Sequence, residues 1–71
     1  MDRGECAKLE NYMRRLFRLD TIDVRRRPQK DDSAEVYLSD EFIGVMFRDD
    51  EDDEVSYSFQ MAILDFDLTN S

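Results

Sequence analysis

Histidine is missing from this 71-residue chain, and cysteine, glycine and proline are scarce, with one Cys, two Gly and one Pro. Each shortage closes off a class of function. A lone cysteine forms no intrachain disulfide, and one thiol without an imidazole cannot complete the ligand set of a structural zinc site. Without histidine there is no Ser-His or Cys-His pair to activate a nucleophile, and no glycine-rich loop cradles a phosphate. No glycine lies between Phe47 and Ser71. The acidic run Asp49 to Glu54 therefore lacks both the sharp-turn residue and the ligand spacing of a calcium loop. No apolar run reaches membrane-spanning length, and "MDRGEC" lacks the basic-then-apolar order of a secretory leader. These absences predict a cytoplasmic, non-enzymatic protein with no metal, no cofactor and no membrane span.

What is present begins with size and charge. A chain this short is expected to form a single domain over residues 1–71, with a small core. Small domains usually rely on a disulfide, a metal or a partner subunit. With the first two excluded, the expected staple is a second copy, a homodimer, with an unusually well-packed monomer as the alternative, and the expected role is binding an as yet unidentified protein. The net charge of −8 is unevenly spread: residues 1–30 carry nine Lys+Arg against five Asp+Glu, and residues 31–71 carry one against thirteen. Such a split suggests an electrostatic match within or between chains.

"DRGECAKLENYMRRLFRLD" has a helical period, with Cys6, Leu9, Met13 and Leu16 on one stripe and Tyr12, Phe17 and Leu19 widening it. The spacing predicts a helix over about 3–19. Asp2 and Glu5 have capping-box spacing, Met1 and Cys6 a staple's, and Glu10 and Arg14 that of a helical ion pair. From Thr21 the period becomes two. Four strands are predicted over about 21–28, 34–38, 42–48 and 54–64, followed by a loose tail over 65–71, although Met61, Leu64 and Leu68 also fit a short helix. Pairing Leu38 with Ile43 and Phe47 with Val55 places Ile43, Val45 and Phe47 on one buried face and sets Arg48 opposite Glu54. The expected fold is α+β: an N-terminal amphipathic helix packed on one face of a four-stranded antiparallel β-meander. The acid run then becomes an exposed hairpin tip, where water and salt dilute like charges.

In this register the face turned away from the helix carries Tyr37, Phe42, Met46 and Ala62, with Gly44 across from Tyr37. An apolar centre bordered by Ser56, Ser58, Gln60 and Arg25 has the composition of an interface. The alternative surface is basic: Arg14, Arg15 and Arg18 on the helix, with Arg25 and Arg27 on the first strand, as contacts to nucleic acid. The two sets fall on opposite sides of the domain, Glu35 is expected across from Arg25 or Arg27, and the acidic C-terminal part repels a polyanion. Cys6 lies on the apolar stripe in the first helical turn, which favours an inert thiol over a redox switch.

The strings "DDSAEVY", "DEFIGV" and "FQMAIL" within "KDDSAEVYLSDEFIGVMFRDDEDDEVSYSFQMAILDFDL", with the helix "KLENYMRRLF", give the chain a resemblance to a family of short alphaproteobacterial proteins of unknown function. The resemblance covers nearly the whole chain. It implies a bacterial, cytoplasmic, single-domain protein and brings no activity or catalytic residue with it.

Overall fold

The computed structural model describes residues 1–69, so Asn70 and Ser71 of the expected tail lie outside the described residues. In chain order it contains helix α1 (Arg3–Phe17), strands β1 (Ile22–Arg27), β2 (Lys30–Leu38), β3 (Glu41–Asp49) and β4 (Ser56–Gln60), and the short helix α2 (Asp65–Thr69). The strands form one antiparallel sheet in the order β1-β2-β3-β4. A helix against an antiparallel meander is the expected α+β arrangement.

Helix α1 starts as its sequence dictates. The Asp2 side chain accepts the Glu5 N–H at 2.7 Å, and the Glu5 carboxylate accepts the Asp2 N–H at 3.3 Å, a reciprocal capping box. Met1 and Cys6 are both buried beside it. The helix stops at Phe17, two residues before the apolar stripe does. Arg18 takes a left-handed conformation (φ 57°), and the Leu19 N–H turns back to the Arg14 carbonyl at 3.1 Å, closing the last turn.

Two side chains of α1 also bind the outer edge of β1. The Val24 N–H donates to Glu10 Oε1 at 2.9 Å, and Arg14 Nε donates to the Ile22 carbonyl at 2.7 Å. Arg14 also pairs with Asp23 at 3.0 Å and with Glu10 at 3.5 Å. The helix thus satisfies backbone groups that an edge strand would otherwise present to other chains. It lies toward the β1 side, over a core of Ile22, Val24, Ala34, Val36 and Met46 packed with Met1, Cys6 and Met13.

The register departs from the sequence expectation at two places. The β2–β3 hairpin closes one residue early, through Ser39 and Asp40, both at positive φ (51° and 66°), as in the two-residue turns whose twist suits antiparallel strands. Leu38 then faces Glu41 and Tyr37 faces Phe42, after which the ladder shifts so that Val36 faces Gly44 and Ala34 faces Met46. Ile43 is the extra residue of a β-bulge, and beyond it every side chain is turned over. Gly44 and Met46 are buried on the helix side of the sheet, whereas Val45 and Phe47, expected inside, project to the opposite face.

The second departure is at the acid run. The segment after β3 makes a single 3-10 turn at Glu51–Asp53, and β4 begins only at Ser56. Arg48 therefore faces Tyr57 rather than Glu54, and Met46 faces Phe59. This shift of three residues, added to the bulge, leaves Tyr57 and Phe59 on the helix side after all. Strand β4 ends at Gln60, four residues before its expected end, and α2 takes the place of the loose tail, in line with the short-helix alternative for this stretch. Asp49, Asp50, Glu51, Asp53 and Glu54 are exposed at the loop tip, with the Asp49 carboxylate accepting the Glu51 N–H at 3.0 Å.

Candidate interaction site

Because α1 packs toward β1, the helix side of β3 and β4 is left partly open. The result is a groove of about 400 Å³ between the helix and the end of the sheet. One wall is the flank of α1, with Leu9, Tyr12, Leu16 and Phe17; the other is Tyr57 and Phe59 of β4, and Met13 and Met46 contribute from the core. Leu16 is 59% exposed, Phe17 52% and Phe59 37%. Arg15 places its guanidinium 5.7 Å from the Tyr12 ring centre.

A polar clamp fixes the two walls relative to each other. Arg48 Nη1 donates to both carboxylate oxygens of Glu5 at 3.0 Å, and the Tyr57 hydroxyl donates to Glu5 Oε2 at 2.8 Å. The hydroxyl and the guanidinium together hold the Glu5 carboxyl down at about 2, well below the usual 4.5, because each donates to its charged form. The same carboxylate pushes the Tyr57 phenol upward. Arg48 reaches the helix because the bulge turned it inward.

Gly44 sets the position of β4. A Cβ at this position would lie 2.4 Å from the Gln60 carbonyl oxygen and 2.7 Å from the Phe59 ring. The aromatic ring lying against Gly44 therefore comes from β4, not from Tyr37 as expected.

The predicted contact residues divide between the two faces. Met46 is 4% exposed and belongs to the core, because the bulge reversed its direction; it is no part of the outer face. Tyr37 and Phe42 remain outside, edge to face at 5.7 Å. Phe42 and Ala62 border a shallow hollow of about 240 Å³ with Val45 and Phe47. Part of this face is already covered. Arg25 lies 3.9 Å over the Tyr37 ring and is held there by Asp40 at 2.7 Å and Asp23 at 3.2 Å.

Arg14 of the helix and Arg25 of the first strand, expected on opposite sides of the domain, meet at one carboxylate, Asp23, at 3.0 and 3.2 Å. Arg14 and Arg25 are engaged by carboxylates as described, and Arg27 donates to the Ser33 hydroxyl at 3.2 Å. Glu35 is the register partner of Arg25, yet its carboxylate accepts the Tyr37 hydroxyl at 3.0 Å and makes no ion pair with either predicted arginine. Arg15 and Arg18 have no acidic partner within 4 Å among the described residues. The Cys6 thiol is 5% exposed, and burial pushes its pKa up; it is held as a neutral core thiol. Among the described residues, no group of three or more His, Cys, Asp or Glu side chains converges as a metal site would, and no helix is long and apolar enough to cross a membrane.

Fold and groove together define a small α+β domain in which a helix lies off-centre on an antiparallel meander and leaves an apolar trough beside it. The chain belongs to the family described as protein of unknown function (DUF3126), whose model matches residues 5–67. Comparison with curated proteins and with solved structures finds no match.

Proposed function

We propose that this chain is a non-enzymatic protein-interaction module that self-associates as a homodimer, and that its contact surface is the groove between α1 and β4. The observation that carries this reading is an excess of exposed surface. A folded monomer of 8.5 kDa exposes roughly 4,700 Å² by the usual size scaling, whereas this chain exposes 5767 Å². The excess, roughly 1,100 Å², is of the order that one partner contributes to a standard interface, about 800 Å². Exposed large apolar side chains occur in the groove, at Tyr12, Leu16, Phe17, Tyr57 and Phe59, and in the chain beyond β4.

The outer face is the weaker choice. Its Tyr37 is already capped at 3.9 Å by a guanidinium held by two carboxylates, whereas Arg15 stands farther from the groove's Tyr12 ring, at 5.7 Å, and no carboxylate among the described residues holds it there. Light scattering coupled to gel filtration separates the two surfaces. The unaltered chain and Phe42→Asp are expected at two chains per particle, and Leu16→Asp at one, with the helical circular dichroism unchanged. A single-chain particle for the unaltered protein at high micromolar concentration overturns the proposal, and so does a Leu16→Asp variant that still pairs.

A further inference from the structure

We infer that the groove is filled by the C-terminal segment Met61–Leu68 of a second copy, the two chains exchanging these segments reciprocally. The inference rests on the self-association proposed above and names its occupant.

The segment carries apolar side chains that are largely exposed. Met61 is 49% exposed, Ile63 62%, Leu64 61%, Phe66 72% and Leu68 64%, and α2 has no buried residue. It is nevertheless ordered locally: the Asp67 carboxylate accepts the Leu64 N–H at 3.1 Å, and the Asp67 N–H returns to the Leu64 carbonyl at 2.9 Å. This capped turn presents leucine and phenylalanine outward instead of burying them. The radius of gyration, 13.1 Å, exceeds the roughly 11 Å expected of a compact chain this long, and the molecule measures 42 × 23 × 22 Å.

Groove and segment match in length and in charge. Four extended residues and one short helix reach roughly 20 Å, enough to follow the wall from Leu9 to Phe17, which rises about 12 Å along the helix. The segment carries Asp65 and Asp67 and no basic residue. Beside the groove stand Arg15, whose guanidinium lies over the lining Tyr12 ring, and Arg18 at the C-cap of α1; neither has an acidic partner in its own chain among the described residues. Apolar side chains facing an apolar trough, with carboxylates facing arginines, is the pattern of a specific contact. Reciprocal exchange makes the pair closed and two-fold, because each copy gives one segment and offers one groove.

Complementation tests this directly. Leu64→Asp damages only the segment and Leu16→Asp only the groove, at side chains that are both largely exposed, so both variants are expected to fold, as circular dichroism will check. Each alone is expected as a single-chain particle. Mixed in equal amounts at high micromolar concentration, they are expected to form a mixed pair, one chain of each by native mass spectrometry, because one intact segment then meets one intact groove. If Leu64→Asp pairs as well as the unaltered chain, or if the mixture stays single-chain, segment exchange is overturned while self-association through the groove stands. If the unaltered chain is itself single-chain, both readings fall together.

Discussion

Gly44 and Glu5 are the two residues on which the geometry of the groove depends most. At Gly44 the constraint is space. An added methyl meets both a backbone oxygen and an aromatic ring well inside contact distance, so β4 would have to move away from β3. Gly44→Ala is therefore expected to destabilise the fold by about 1–3 kcal/mol, the usual cost of overpacking, measured as a lower urea midpoint. At Glu5 the constraint is charge. Its pKa is lowered from 4.5 to about 2 in the folded state, so the folded form holds the ionised carboxylate and the unfolded chain binds the proton more readily. The stabilisation is present above about 4.5 and disappears as the pH falls from there toward 2. Glu5→Gln is expected to lower the melting temperature at neutral pH and to remove much of the pH dependence across that window. Equal acid sensitivity in variant and parent would show that the clamp contributes nothing.

At the scale of elements, what could be read in advance depended on the range of the physics involved. Helix α1 was legible because its signals are local: a capping box, a staple and a 3.6-residue stripe lie within one segment. The four strands were legible as segments, since alternation needs only near neighbours. Their register was not, because it depends on one turn and one bulge. Nothing around Ile43 marks it as the extra residue, and a single insertion moved Met46 into the core and Val45 and Phe47 out of it. The arginines misled for a related reason. Local spacing pairs Arg14 with Glu10 and Arg48 with Glu54, yet each reaches acceptors on another element. One signal of the groove was in view: Tyr12, Phe17 and Leu19 make the helical stripe broader than a single sheet contact requires. The β2–β3 turn offers a test at this scale. Ser39 holds a positive φ of 51° without being Gly or Asn, a conformation costing most residues roughly 1–2 kcal/mol. Ser39→Asn is expected to stabilise the hairpin by up to about 1 kcal/mol, seen as a raised urea midpoint; a lowered midpoint would contradict the turn geometry.

For the whole molecule, the charge split and the surface excess belong together. The basic N-terminal half supplies the helix, and the acidic C-terminal half supplies the segment beyond β4. In the proposed pair these halves meet across chains, so pairing is expected to weaken with added salt, though only modestly, because the apolar contacts are not screened. Sedimentation at low and high ionic strength measures this, and pairing that strengthens with salt in parallel with the loss of helix signal would point to unfolding instead.

The most direct measurement is an isotope-filtered nuclear Overhauser experiment on a mixture of carbon-13-labelled and unlabelled chains. Segment exchange predicts contacts between the Ile63 and Leu64 methyl groups of labelled chains and the Tyr12 and Phe59 rings of unlabelled ones. A paired species in which these methyl groups touch no ring of the other chain would contradict it.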